Sequence, residues 1–331
     1  MRRSPRLLAL GLLALVTLGC SNNFFAQSLV RSTRIVGARL HVAGDDTRAW
    51  PLPGESVSLD YYVLRADEAE VLSAGLFGCA VASNRSGAPT CGGAPFASFP
   101  PRAPDVMPIH FEMTIPDEAA LGGATSVLLA LASCAGGGMP SVAPGASFVT
   151  CDGEMPGHPD LTSLTFQIAT TVETANHHPE LDDETYTIDG APWDVPPDVV
   201  PAEGCSSEPD AARLPKIMIP ASGAHVVRIT FTSSEDDRES YAARDGMGAP
   251  VTRREVAQYS HYLTAGALQR QFSTIDDATT PPGEARIDWT APASSTVPAG
   301  GLTVRFWWVT RDLRGGFDIL ERVACVEVIA P

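Results

Sequence analysis

Ser56-Val57-Ser58-Leu59-Asp60-Tyr61-Tyr62-Val63 alternates polar residues with the apolar positions Val57, Leu59, Tyr61 and Val63. A strand repeats every two residues, so this pattern sends one set of side chains into a core and the other to solvent. The same alternation returns at Ile109 to Ile115 and at Leu164 to Ile168, whereas Val127 to Ala132 is continuously apolar, as a strand covered on both faces would be. Gly122, Gly123 and Gly136 to Gly138 bracket that run too closely for a helix. With Ile35 to Val42 and Val71 to Val81, the first half reads as an antiparallel β-sandwich of Ig-like size whose strands are separated by Gly/Pro-rich turns.

The second half repeats this grammar at Val227 to Thr232, Ile287 to Thr290, Thr303 to Thr310 and Glu321 to Ile329. Thr310 to Gly316 reads as the turn between the last two strands, with Gly315 and Gly316 supplying positive φ. The Pro-rich segment from Pro192 to Pro220 is expected to lack regular structure and to lie over the second domain. Arg254 to Ala257 is expected to form a short helix before a strand pair broken at Gly266. The expected class is all-β, two tandem Ig-like β-sandwich domains at 33–172 and 193–331, with a junction at 173–192.

The N-terminus is of a different kind. Arg2, Arg3 and Arg6 precede an apolar run from Leu7 to Leu18, and Gly19-Cys20 is followed by polar Ser21-Asn22-Asn23. That is the anatomy of an export signal. Twelve residues at about 1.5 Å each fall short of the roughly 30 Å hydrocarbon core, so the run targets the chain and does not span a membrane. Thr17-Leu18-Gly19-Cys20 resembles the lipobox of bacterial lipoproteins, with Thr17 where the pattern most often has leucine. The resemblance implies a signal peptide over 1–19, lipid attachment at Cys20, a lipidated tether over 20–32 and a membrane contact made through the lipid. Two or more acyl chains, at roughly 0.8 kcal/mol per buried methylene, suffice for stable attachment. Ser21 is not the aspartate that retains many lipoproteins at the inner membrane, so the family rule implies the outer membrane. The other reading is an ordinary cleaved signal with Cys20 incidental.

Six further cysteines, Cys79, Cys91, Cys134, Cys151, Cys205 and Cys325, suit disulfides in an exported chain, although six allow fifteen connectivities. Proximity favours Cys79 with Cys91 and Cys134 with Cys151, leaving Cys205 with Cys325. The net charge of −16 becomes −19 once Arg2, Arg3 and Arg6 are removed, and Lys216 is the only lysine, so the surface would repel nucleic acid.

Arg305 to Asp312, Arg314-Gly315-Gly316 and Val323 to Val326 resemble the final hairpin of PKD-like and cadherin-like Ig-fold modules. More closely, they are similar to the C-terminal module of uncharacterised surface lipoproteins of high-GC bacteria. Ser260-His261-Tyr262, Trp289 to Pro292 and the Asn-x-x-Pro junction at Asn176 to Pro179 carry the same likeness, which implies a fold and a surface location without an activity.

No Gly-x-Ser-x-Gly, His-Glu-x-x-His, Walker or dinucleotide pattern occurs, and no catalytic residue, cofactor or metal ligand is assigned. His177-His178 beside Glu180, Asp182, Asp183 and Glu184 is the nearest thing to a transition-metal cluster, but neighbouring side chains on an extended chain point to opposite sides and cannot both ligate one ion without a turn, so a solvated interdomain linker is the favoured reading. Calcium has possible oxygen ligands in Asp236, Asp237, Asp276, Asp277, Asp312 and Asp318, without the cadherin motifs. Of Trp307 and Trp308, one belongs to a core and the other to an edge or contact patch. The expected function is a non-catalytic, lipid-anchored envelope protein for adhesion, assembly or binding of a protein or glycan partner. A glycan- or calcium-binding accessory module is the alternative, and an enzyme of unrecognised type stands third.

Overall fold

The computed structural model describes residues 27–65, 70–82, 89–104, 107–141, 149–153, 157–181, 186–194, 205, 214–233, 238–279 and 283–329. The signal, Cys20, Asp182, Asp183, Glu184, Asp236 and Asp237 lie outside them. The regular structure of the described residues is almost wholly β. The first half contains β1 (Arg34–Val42), β2 (Ser56–Leu64), β3 (Leu72–Ala80), β4 (Ala97–Arg102), β5 (Ile109–Thr114), β6 (Ser126–Ala135), β7 (Met139–Ser141), β8 (Thr150–Asp152) and β9 (His158–Gln167). The second contains β10 (Tyr186–Ile188), β11 (Ala191–Pro192), β12 (Lys216–Ile219), β13 (Val226–Thr232), β14 (Ser240–Arg244), β15 (Pro250–Arg254), β16 (Ala257–Leu263), β17 (Ala267–Leu268), β18 (Phe272–Ile275), β19 (Glu284–Thr290), β20 (Leu302–Arg311) and β21 (Phe317–Val328).

Two pairs of sheets enclose two main cores. In the first half the sheet β1-β2-β5 faces β4-β3-β6-β9 across Leu40, Leu59, Phe111, Leu76, Leu129 and Phe166. The quoted stretch is β2, and it buries Val57, Leu59 and Tyr61 as its alternation requires. The apolar run lies in β6, which is paired on both edges by β3 and β9 and is buried along almost its whole length. A short helix, α1 (Glu118–Leu121), joins β5 to β6; Asp117 caps it by accepting from the Ala120 amide at 2.8 Å, and Gly122 ends it at φ 57°. In the second half, β11-β10-β13-β19-β17 faces β12-β21-β20-β16-β18 around Trp193, Trp289, Phe306 and Trp308. The Trp193 ring meets Phe306 and Trp308 edge-on at 5.0 and 5.4 Å, an arrangement aromatic quadrupoles favour.

Three expectations need correction. Lys216–Ile219 is not irregular: it runs parallel to the end of β21, pairing Lys216 with Cys325 and Ile219 with Val328. Arg254 to Ala257 is not helical, because Arg254 closes β15 opposite Ser240 and the Glu255 amide bonds the Glu239 carbonyl at 2.9 Å. Those cross-strand partners override the helical propensity of the charged run. Gly316 does not supply positive φ; Leu313 and Gly315 do, at 65° and 115°. Gly316 is required for another reason, since any Cβ there would collide with the Asp312 carboxylate and the His177 carbonyl.

Disulfides join Cys79 to Cys91, Cys134 to Cys151 and Cys205 to Cys325. The first ties β3 to the loop holding Cys91, the second ties β6 to β8, and the third ties Cys205 to β21, where Leu214 and Val323 pack beside it. Among the described residues no helix is long and apolar enough to cross a membrane.

Candidate functional site

The two halves meet through an interface that the linear pattern does not show. Val36 and Leu64 of β1 and β2 pack with Trp307 and Val309 of β20 and with Phe317 of β21 in a third buried cluster, flanked by Tyr62 and Tyr262. Trp307 and Trp308 do point to opposite faces of β20, but both are buried: Trp308 in the second core and Trp307 in this cluster. Gly37 makes the approach possible, for a Cβ there would overlap the Phe317 ring. At the N-terminal side, Val30 donates its amide to the Leu263 carbonyl at 2.8 Å and the Leu263 amide donates to the Ser28 carbonyl at 2.9 Å, so Ser28 to Val30 are held against the second half.

Beside this apolar contact runs a polar one, built on Asn176-His177-His178. These residues lie antiparallel to Thr47 to Trp50: the Ala49 amide bonds the Asn176 carbonyl at 2.7 Å and the His178 amide bonds the Thr47 carbonyl at 2.7 Å. Extended backbone turns alternate side chains apart. Asn176 points inward and donates its amide group to Asp312, His177 turns outward to Glu239, and His178 turns inward again. Asp312 is buried and also accepts from the backbone amides of Arg314 at 2.7 Å and Gly316 at 2.8 Å, so one carboxylate orders the whole β20–β21 turn and ties it to the junction. Arg39 and Asp318 pair across the interface at 3.0 Å, and Asp318 also accepts from the Leu181 amide at 2.9 Å.

His177-His178 is therefore not a solvated linker. His178 Nε2 donates to the Leu40 carbonyl at 2.7 Å, and Nδ1 accepts from the Phe317 amide at 3.0 Å. That requires the neutral ring with its proton on Nε2. Burial, reinforced by the charge of Arg39, pushes the imidazole down to about 3. Because the folded value lies below the unfolded one, the unfolded chain gains a proton first as pH falls from about 6.5. Stability then declines by about 1.4 kcal/mol per pH unit for this group, down to about pH 3. Denaturant titrations of the wild type and His178→Gln between pH 7 and 4 will show a shallower slope in the variant. Equal slopes would count against this role. His261, also buried and pushed down to about 3, contributes to the slope of both proteins.

Arg314 is the outer member of the network. Its guanidinium lies between the rings of Trp50 and Tyr241, 4.8 and 4.3 Å from their centroids, and donates to Glu255 at 2.6 Å and Glu239 at 3.4 Å. Its carbonyl accepts from Trp50 Nε1 at 2.7 Å. Burial, and then the neighbouring charge of Asp312, push the Glu255 carboxyl up to about 7 against the opposing pull of Arg314. The hairpin β14–β15 overhangs these groups, and a cleft of about 760 Å³ lies between it and Trp50, Thr174 and His177. Glu239 lines this cleft and Glu255 is buried behind it, and Arg314 bonds both carboxylates. It also covers a face of each aromatic ring, leaving that face closed to a sugar.

Four of the aspartates considered for calcium do not share one site. Asp312 and Asp318 serve the junction as described, Asp277 pairs with Arg238 at 3.2 Å, and Asp276 accepts from the Ala278 amide at 2.9 Å. Among the described residues, potential ligand atoms of Cys205, Cys325 and Glu327 lie within 4.8 Å of one another, but the two cysteines form a disulfide and so lack thiolates. Sequence reasoning missed Glu239, Glu255 and the buried role of His178. The spacing of Asp312 to Gly316, an acid followed by a glycine-bearing turn, was the available signal for the latch.

No protein-family model and no curated protein matches the chain. Among solved structures, the chain is similar to one described as "Structural insight into host cell surface retention of a 1.5-MDa bacterial ice-binding adhesin", with 12% identity and a TM-score of 0.22. The similarity covers 90% of this chain and 66% of that one.

Proposed function

We propose that the chain is a non-catalytic, lipid-anchored protein of the bacterial cell envelope, whose two tandem Ig-like sandwiches act as one rigid unit in adhesion, assembly or partner binding. The observation that carries this reading is the junction: its charged groups are taken up by one another, Arg39 by Asp318 across the two halves, His177 by Glu239 and Arg314 by Glu255, instead of converging on an open reaction centre. Such a latch gives a rigid display surface. A buried ion pair contributes little net stability, but losing one partner is costly, so it favours one docking geometry over others.

Anchoring through Cys20 agrees with the export signal and with three disulfides, which need an oxidising compartment. Ser28 and Val30 are bonded to Leu263, so only the residues between Cys20 and Gln27 can act as tether. At about 3.4 Å per residue they hold the body within roughly 25 Å of the lipid. The outer membrane is the expected location, with a protein or glycan as partner.

Metabolic palmitate labelling of the wild type and Cys20→Ala, with membrane fractionation and protease treatment of intact cells, tests the proposal. Label on the wild type, its loss in the variant with release from the membrane, and cleavage from outside are expected. An unlabelled, soluble wild type overturns the anchor.

A further inference from the structure

On the outer face of the sheet β1-β2-β5 the register sets Arg39, Asp60 and His110 in one row and His41, Ser58 and Glu112 in the next. Both imidazoles reach the same carboxylate: His110 Nδ1 lies 2.7 Å from Asp60 Oδ1, and His41 Nε2 lies 3.2 Å from Asp60 Oδ2. Their remaining nitrogens face further carboxylates, His41 Nδ1 at 3.5 Å from Asp46 and His110 Nε2 at 3.6 Å from Glu112. Each ring therefore stands between two carboxylates.

A neutral imidazole has one N–H and one lone pair, so it can donate to only one of them. The other nitrogen then opposes its lone pair to a carboxylate oxygen unless the ring takes up a second proton or a metal ion lies between. His41 Nε2 is buried and makes no hydrogen bond, the Asp60 oxygen lying 3.2 Å away but off the direction in which a ring N–H would donate. Ser58, the small residue between His41 and Glu112, leaves a cleft of about 450 Å³ bounded by His41, Asp46 and Glu112. With neutral rings the three carboxylates give this face a charge of −3. The nearest cation in the rows, Arg39, is held by Asp318 at 3.0 Å.

We propose that this face binds one divalent transition-metal ion, with His41, Asp60 and His110 as ligands and Asp46 and Glu112 compensating its charge from the rim. Two imidazoles and a carboxylate suit Zn²⁺ and its neighbours, whereas Ca²⁺ and Mg²⁺ prefer oxygen alone. The two nitrogens now sit on opposite oxygens of Asp60, so metal binding requires His110, whose side chain is 47% exposed, to swing toward His41. The three ligands come from three strands, which is why no local sequence motif announces them.

Calorimetric titration of the EDTA-treated mature chain with Zn²⁺ tests this, alongside His41→Ala, His110→Ala and the control His158→Ala. One Zn²⁺ per chain is expected, undisturbed by a hundredfold excess of Ca²⁺. Binding should weaken about tenfold or more in each of the first two variants and stay unchanged in the control. Imidazole proton resonances of His41 and His110 should shift on zinc addition to the wild type, a readout independent of how the variants fold. No binding at millimolar Zn²⁺ overturns the proposal. Equal binding by the His41→Ala/His110→Ala double variant does so too, by placing the ion elsewhere, as at His177 and Glu239.

Discussion

Replacing Cys205 and Cys325 together by alanine will lower the unfolding free energy by about 5 kcal/mol, against about 3 kcal/mol for either of the other bridges. In the chain-entropy description a cross-link restricts the unfolded chain in proportion to the logarithm of the loop it closes. The sequence separations are 120 for Cys205–Cys325, 12 for Cys79–Cys91 and 17 for Cys134–Cys151. The long bridge also holds the chain ahead of β12, whose parallel pairing with β21 begins at Lys216 and Cys325. A parallel edge strand lacks a hairpin to fix its register, so without the bridge β12 should exchange its amides faster than β20 does. Guanidinium unfolding of the three double-alanine proteins, with hydrogen exchange on the first, checks both parts. A loss no larger than that of the short loops would show that β12 is held by its own contacts.

Asp312→Ala is expected to cost about 3–5 kcal/mol. The carboxylate accepts from the amides of Arg314 and Gly316 and from the Asn176 side chain; the Gly316 and Asn176 bonds are buried and the Arg314 bond is part-buried. Removing it leaves buried donors unsatisfied, at about 1–3 kcal/mol each before water enters. Asp312→Asn keeps one acceptor oxygen for the turn but sets an amide group against that of Asn176, so an intermediate loss is expected. The halves should respond unequally: tryptophan fluorescence from Trp50 and Trp307 at the interface should change at lower denaturant than that of Trp193 and Trp289 in the second core. This is read from single-tryptophan variants. Coincident transitions in Asp312→Ala would mean that the apolar cluster around Phe317 alone couples the halves.

The all-β class was legible because burial on a sheet has period two, and the residues that alternate in the sequence are those that line the cores: Val57, Leu59 and Tyr61 in β2, Val227, Ile229 and Phe231 in β13. The run in β6 was legible for the complementary reason, as a central strand needs no polar face. Lys216–Ile219 was not, because a short strand among prolines carries too little periodicity and is defined by its neighbour β21. The region around Glu255 misled because local propensity favours a helix and only the partner strand, starting at Ser240, decides otherwise.

By itself the sequence determined the export signal pattern, the strands and their buried faces, since each depends on residues within a few positions of one another. Only the tertiary structure decided how the halves are joined and what the polar residues do. Asn176 reaches Asp312 over 136 positions, and His178 reaches Leu40 and Phe317 over 138 and 139. No local pattern encodes such pairs: a histidine in a polar stretch looks solvated until the fold brings a carbonyl to one nitrogen and an amide to the other. The two imidazoles on Asp60 follow the same rule, for strand register rather than spacing along the chain places three potential ligands on one face.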